Sequence, residues 1–216
     1  MRWWMILLLV LLVLIVGARM LSARTTILQM TLIRLICAGN AGVKPKDYDA
    51  VLAKSDTLET DASYESAFDN GILDLYAAKG DAPLPLIVYA HGGYYVGDDK
   101  LDFTYYCQSL AARGYVVANL NYQLAPEGKY PTQMLQVNEA IRFLLAHAEA
   151  YRIDKTKIFI GGDSAGAHLS SQMGLYYTNP AFRDRIGGEP AIAPEQLKGG
   201  ILHCGYYNID TLRATG

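Results

Sequence analysis

The feature that most constrains this chain is the pentapeptide Gly-Asp-Ser-Ala-Gly at residues 162–166, which directly follows the apolar run 158–160. A Gly-x-Ser-x-Gly pattern behind a buried strand predicts a nucleophile elbow, where the strand turns sharply into a helix and exposes the serine hydroxyl. Glycines suit such a turn because backbone and helix approach closely there. Ser164 is therefore the candidate nucleophile, and an incidental serine in a tight glycine turn is the alternative.

A second apolar strand pattern, residues 84–90, runs directly into His91, Gly92 and Gly93. Acyl transfer builds negative charge on the carbonyl oxygen, and preorganised backbone N–H groups stabilise that charge. We expect the oxyanion hole to combine the N–H groups of Gly92 and Gly93 with that of Ala165, the residue after the nucleophile. His91 lies at a strand end far before the serine, which favours a loop-bracing role over that of catalytic base.

The third motif is Asn-Tyr-Gln-Leu-Ala-Pro-Glu at residues 121–127, behind a predicted strand at 115–120. The three motifs in this order resemble the α/β-hydrolase superfamily, specifically the esterase and lipase branch related to hormone-sensitive lipase. The resemblance covers residues 60–210 and has two departures. Tyr94 stands where many members have another glycine, which alters the acyl pocket, and Gln123 stands where an arginine is common, which we interpret as structural.

The resemblance implies a serine-dependent hydrolase of carboxylic esters that acts through an acyl-enzyme, with a small-molecule ester as substrate. It assigns the nucleophile to Ser164. Four further residues are expected to support the site: His91, Asp163, Tyr122 and Glu127.

Strand and helix patterns alternate along the body of the chain, which predicts a parallel sheet covered by helices on both faces. The predicted strands are 84–90, 115–120 and 157–161, and the predicted helices are 101–113, 132–150 and 165–177. Alternating runs at 63–69 and 72–78 around Asn70-Gly71 predict a β-hairpin. A loop over 179–197 and a strand over 199–205 complete a partial α/β-hydrolase domain at residues 61–216, an α/β fold lacking its last strands.

The amino terminus carries a membrane-directed segment, residues 1–24, whose apolar run from Trp3 to Val16 ends shortly before Arg19. Its length suits a signal-peptide core better than a full span. We favour an uncleaved anchor with an extracytoplasmic domain, because residues 25–60 begin with another apolar stretch that suits a membrane-proximal helix before a linker. Secretion after signal cleavage is the alternative.

The expected acid and base are missing from this sequence. Serine needs a base to take its proton, and in α/β-hydrolases the acid and then the histidine follow the nucleophile. No histidine follows Asp210. Besides His91, the chain has three histidines, and each has a structural interpretation: His168 lies one helical turn after the serine, His203 lies in a predicted strand and His147 lies late in a predicted helix. We therefore expect a chain truncated at its carboxyl end, with an open sheet edge.

Composition excludes several other classes of function. A net charge of −2 gives no electrostatic footprint for nucleic acid. The sequence holds no phosphate-binding loop or dinucleotide fingerprint, and its histidines lack zinc-site spacing, so we expect no cofactor and no metal. The three cysteines are widely spaced and are interpreted as small hydrophobic residues.

Two alternatives to the esterase hypothesis stay open at this point. A serine peptidase of the same fold needs the same apparatus, although the segment 121–127 favours the esterase branch. A non-catalytic membrane-anchored module, or a decayed fragment, accounts for the missing acid and base. The sequence does not predict the oligomeric state.

Overall fold

The computed structural model describes residues 3–37, 42–208 and 210. Six strands form one mixed sheet: β1 (Ser55–Ser63), β2 (Ile72–Ala78), β3 (Leu84–Ala90), β4 (Val116–Leu120), β5 (Ile153–Asp163) and β6 (Leu197–His203). The α-helices are α1 (Trp3–Cys37), α2 (Tyr48–Leu52), α3 (Thr104–Ala111), α4 (Thr132–Ala146), α5 (Ser164–Thr178) and α6 (Pro180–Ile186). Short 3₁₀ helices occur at Gly93–Tyr95, Lys100–Phe103 and Pro194–Gln196.

The strand order is β1-β2-β4-β3-β5-β6, and the last four strands in this order are parallel to one another. In the centre, Val88 of β3 is in register with Ala118 of β4 and with Ile160 of β5. All five residues of β4 are buried, as expected for a parallel strand covered on both faces. Strands β1 and β2 join this core in antiparallel pairing.

Helices cover both faces of the sheet, which confirms the arrangement predicted from the alternating pattern. Helix α3 packs on one face through Cys107 and Ala111. Helices α4 and α5 pack on the other, and the buried side chains there include Ile141, Leu144 and Met173. The apolar stripes found in the sequence are therefore core surfaces.

A buried ion pair holds the segment between β3 and α3. The Lys100 ammonium lies 2.6 Å from Asp74 of β2 and 2.8 Å from Asp61, although Lys100 is only 1% exposed. Its backbone N–H donates to Asn121, and its carbonyl accepts from Asn119. Because a buried charge is tolerated only when it is paired, this lysine has a structural explanation.

Helix α5 starts unusually close to the carboxyl end of β3. A Cβ atom on Gly166 would overlap the carbonyl oxygens of Ala90 and His91, and one on Gly162 would overlap that of Ala90. No larger residue fits at these positions without moving the backbone. The pentapeptide glycines thus set the distance between the elbow and the loop after β3.

The predicted β-hairpin is wrong in its first strand. The strand paired with β2 is Ser55–Ser63, within what we expected to be a linker, and residues 64–71 form the connection. The predicted domain boundary at residue 61 therefore falls inside β1. The misplacement has a physical cause: β1 is an edge strand whose side chains are mostly exposed, so it lacks an apolar run.

The amino-terminal region also differs from expectation. A single helix covers residues 3–37 in place of an anchor followed by a separate helix, and its stretch Val10–Ile36 is long and apolar enough to cross a membrane by length and composition. Residues 38–41 of the predicted linker, and 211–216 at the other end, lie outside the described residues. The loop predicted over 179–197 contains helix α6.

The two glycines of α5 provide a test of this packing. We predict that Gly166→Ala lowers the free energy of unfolding by about 3 kcal/mol, because the methyl group overlaps two backbone carbonyls. Gly174→Ala, in the same helix with open space around its Cβ position, should raise it by about 0.5–1 kcal/mol. Urea unfolding in detergent measures both. Equal effects of the two substitutions would contradict the close approach.

Candidate active site

Ser164 stands at the junction of β5 and α5, where the sequence predicts an elbow. Asp163 is the last residue of the strand and Ser164 the first of the helix. The backbone φ of Ser164 is +46°, in the left-handed region that residues with a side chain rarely adopt. Such strain persists only where the surrounding structure imposes it, and it occurs often at active sites. The serine is partly exposed at the carboxyl end of a central strand.

The loop after β3 is held against this elbow by Tyr122. Its hydroxyl donates to the carbonyl oxygens of His91 at 2.8 Å and Gly92 at 3.1 Å. The phenol ring also stacks on the His91 imidazole, with ring centroids 4.4 Å apart. Both side chains are fully buried. Tyr122 and His91, which the sequence suggested as supporting residues, thus contact each other and fix the path of the loop.

His91 is held as a neutral side chain. Burial lowers the pKa of its imidazole to about 4, because nothing solvates the charged form. Its Nδ1 lies 3.2 Å from the Gly92 carbonyl oxygen, which selects the tautomer that carries a proton on Nδ1. Its Nε2 is buried and has no partner among the described residues. These contacts are consistent with a bracing role.

Asp163 contacts the same loop from the elbow side. Burial raises the pKa of its carboxyl group to about 6, although hydrogen bonds from its own N–H, the Gly92 N–H and the Tyr89 hydroxyl act in the opposite direction. A Cβ atom on Gly92 would collide with this carboxylate. The carboxylate therefore ties the elbow to the loop directly.

The three expected oxyanion donors lie around this contact. Gly92 lies against the Asp163 carboxylate, and Gly93, with φ of +81°, begins the adjacent 3₁₀ helix. The N–H of Ala165 belongs to the first turn of α5, where backbone donors have no partner within the helix and the helix dipole favours negative charge. Gly92, Gly93 and Ala165 are therefore the candidate donors.

The four histidines have partners other than Ser164. His168 pairs with the Tyr95 hydroxyl at 3.0 Å, and burial lowers its pKa. His203 pairs with the Tyr106 hydroxyl at 2.8 Å, His147 with the carbonyl of its own helix, and His91 with Gly92. Within the described part of the chain, no histidine is therefore paired with Ser164.

Glu127 lies away from the elbow and contacts α1. Its carboxylate accepts a hydrogen bond from Arg34 at 2.7 Å, and this contact lowers the pKa of the Glu127 carboxyl group. Arg34 also donates to the carbonyl oxygens of Val96 at 2.8 Å and Ala125 at 2.6 Å. This role of Arg34 was not predicted from the sequence. The sequence contains one indication of it, an arginine within an otherwise apolar stretch, because a charged side chain there requires a polar partner.

Across residues 3–37, 42–208 and 210, no group of three or more His, Cys, Asp or Glu side chains is placed to hold a metal ion.

Comparison with known proteins matches the region of the chain that contains the three motifs. The BD-FAE family model matches residues 73–195. Esterase LipC of Mycobacterium tuberculosis is 31% identical over 118 residues, which cover 53% of this chain and 29% of LipC. An esterase of Gibberella moniliformis is 34% identical over 110 residues, which cover 49% of this chain and 35% of that protein. The chain thus spans less than half the length of these curated relatives.

Solved structures share the fold. Esterase B from Lactobacillus rhamnosis superposes with a TM-score of 0.69 at 22% identity, covering 93% of this chain and 61% of that one. This likeness confirms the α/β-hydrolase fold expected from the three motifs.

The burial of His91 predicts a specific pH dependence. In the unfolded chain its pKa is near 6.5 and in the folded chain about 4, so between these values only the unfolded state binds the proton. Its contribution to stability is complete above pH 6.5 and falls as the pH decreases through 6.5 toward 4. Asp163 acts in the opposite direction, since its folded pKa of about 6 exceeds its unfolded value.

We predict that the free energy of unfolding of the wild type falls by about 2 kcal/mol relative to that of His91→Gln from pH 7 to pH 5. The reason is that the unfolded wild type binds a proton at His91 in this range, whereas glutamine binds none. Urea unfolding at the two pH values measures this difference. His147→Gln, at an exposed helix end, is the matched control and should show no such change. A difference for His91→Gln that stays constant with pH would contradict the neutral buried imidazole.

Proposed function

Because this chain belongs to the BD-FAE family, within the esterase and lipase branch of the α/β-hydrolases, we propose that it is a serine-dependent hydrolase of carboxylic esters. The substrate class is a small-molecule ester. The named relatives are esterases, which supports ester hydrolysis as the reaction.

One observation carries the proposal: Ser164 sits at a positive φ between β5 and α5, directly against the loop that follows β3. In the proposed reaction a base takes the serine proton while the Ser164 oxygen attacks the ester carbonyl. The base returns this proton to the leaving alcohol oxygen as the tetrahedral intermediate collapses to an acyl-enzyme, which water then hydrolyses to the free acid and the regenerated serine. The N–H groups of Gly92, Gly93 and Ala165 stabilise the oxyanion.

The neighbouring residues position these groups without touching the substrate. The Asp163 carboxylate packs against Gly92, and Tyr122 donates to the carbonyls of His91 and Gly92. Because the Gly92 carbonyl and the Gly93 N–H belong to one peptide unit, the hydrogen bond from Tyr122 fixes the direction of the Gly93 donor. Preorganised donors of this kind need no reorganisation at the moment of reaction.

Membrane attachment is part of the proposal. The helix stretch Val10–Ile36 meets the length and composition of a membrane span, and Arg34 connects its last turn to the folded domain. We propose an uncleaved amino-terminal anchor with the domain on the extracytoplasmic side. Secretion after signal cleavage remains the alternative, because a signal sequence has the same composition.

A non-catalytic membrane-anchored module is the second candidate. It is supported by the partners of the histidines, since none of the four pairs with Ser164 in the described structure. The two candidates differ in the reactivity of the serine. A scaffold needs no activated hydroxyl.

Covalent labelling separates them. We predict that a fluorophosphonate probe labels the protein when a longer homologous chain supplies the acid and the base, and that Ser164→Ala in that chain abolishes labelling, because phosphonylation requires an activated nucleophile and the oxyanion donors. Hydrolysis of p-nitrophenyl butyrate should fall by a factor on the order of 10³ or more in the same variant. Ser171→Ala, two helical turns along α5, is the matched control and should label normally. Undiminished labelling of Ser164→Ala, or no labelling of the unsubstituted longer chain, would contradict the proposal.

A further inference from the structure

A cavity of about 610 Å³ lies between α1 and the folded domain, next to the candidate active site. Its inner wall includes Tyr95, the last residue of the 3₁₀ helix that begins at Gly93, and His168, one helical turn after Ser164. The volume falls within the ~300–1,000 Å³ typical of small-molecule pockets. The cavity therefore adjoins both the loop after β3 and helix α5, which begins at Ser164.

The outer wall of this cavity is the amino-terminal helix. Thr26 and Met30 line it, and together with Arg34 they follow a spacing of four residues, which places all three on one helix face. Arg34 fastens that face to the domain through the carbonyls of Val96 and Ala125. The cavity thus depends on the docking of α1.

The lining suits an apolar ligand. Most of it is formed by apolar atoms, although Lys129 and Tyr130 also line it. The Tyr95 hydroxyl pairs with His168, the Gln133 amide donates to two backbone carbonyls, and the Thr26 hydroxyl donates within α1. A larger cavity of about 710 Å³, which Arg34 also lines, suits an apolar chain poorly because it carries five carboxylates: Asp69, Asp98, Asp99, Asp102 and Glu127.

The position along α1 places the cavity beside the membrane surface. The first charged residue of the described helix is Arg19, after an apolar start at Trp3. With a rise of ~1.5 Å per residue, Thr26 lies about 10 Å and Met30 about 16 Å beyond Arg19 along the helix axis. Although the apolar window extends to Ile36, the contacts of Arg34 hold the last turns against the domain. The hydrocarbon-facing part is thus the beginning of the helix.

We propose that this cavity binds the aliphatic chain of an ester that partitions into the membrane, with Thr26 and Met30 of α1 as one wall and His168, one helical turn after Ser164, on the opposite wall. The proposal rests on the proposed function for the reaction, but the binding of the chain does not require it. The anchor helix would then have two roles: it holds the enzyme at the bilayer and it forms part of the substrate pocket.

Photo-crosslinking tests the proposal without relying on turnover. The full chain is placed in phosphatidylcholine nanodiscs with the methyl ester of palmitic acid carrying a diazirine in its chain. After irradiation, mass spectrometry maps the adducts. We expect adducts on residues 125–133, which line the cavity away from α1, and competition by methyl palmitate. Adducts confined to residues 3–22 would overturn the proposal, because they report only bilayer lipid around the helix.

Two variants of α1 sharpen the test. Met30→Trp fills the cavity and should reduce the adducts at 125–133 by about tenfold, because the larger side chain occupies the space that the ligand needs. Leu28→Trp is the matched control, since Leu28 is 60% exposed and does not line the cavity, and it should leave them unchanged. Equal loss in both variants would overturn the proposal. If Met30→Trp does not fold, Arg34→Gln replaces it, and intact adducts in that variant would overturn the role of α1.

The same adducts in Ser164→Ala separate this inference from the proposed function. We expect them to persist, because the chain binds without the nucleophile. Persisting adducts together with failed fluorophosphonate labelling would contradict the proposed hydrolysis at Ser164 and support binding in the cavity. Normal labelling without adducts at 125–133 would contradict binding in the cavity and support the proposed hydrolysis.

Discussion

The close approach of α5 to the carboxyl end of β3 is the constraint on which the site depends. Gly162 and Gly166 allow the backbone of the elbow to meet the carbonyls of Ala90 and His91 without side-chain overlap. This contact accompanies the left-handed conformation of Ser164 and brings the Ser164 side chain beside the loop after β3. The parallel strands supply the platform, because β3 and β5 are hydrogen-bonded neighbours whose carboxyl ends meet at one edge.

Polar contacts then fix what the close approach brings together. Tyr122 holds the loop through two hydrogen bonds and the Asp163 carboxylate packs against Gly92, while the buried pair of Lys100 and Asp74 anchors the segment farther along. The Tyr122 hydroxyl and the Lys100 ammonium are costly to bury alone and acceptable once paired. The loop is therefore preorganised by buried hydrogen bonds, which is the condition under which backbone donors stabilise an oxyanion effectively.

The sequence predicted what is encoded locally. The apolar runs of β3, β4 and β5 and the elbow at Ser164 each follow from a few adjacent residues, and the structure contains all of them. Strand β1 was misplaced because an exposed edge strand carries no apolar pattern. Asn70 was a genuine turn signal, with φ of +62°, but its side chain donates to the Tyr122 carbonyl inside a longer connection. The Arg34 and Gly92 contacts join distant segments, so the local sequence does not identify the partners of these residues.

We propose that Ser164 is the nucleophile and that the N–H groups of Gly92, Gly93 and Ala165 form the oxyanion hole, and a crystal structure of the protein after reaction with an alkyl phosphonate ester tests this proposal. We expect phosphorus bonded to the Ser164 oxygen, with the phosphonyl oxygen about 2.7–3.1 Å from the Ala165 nitrogen and from the Gly92 or Gly93 nitrogen. Phosphorus on another residue, or a phosphonyl oxygen that contacts none of these nitrogens, would contradict the proposal.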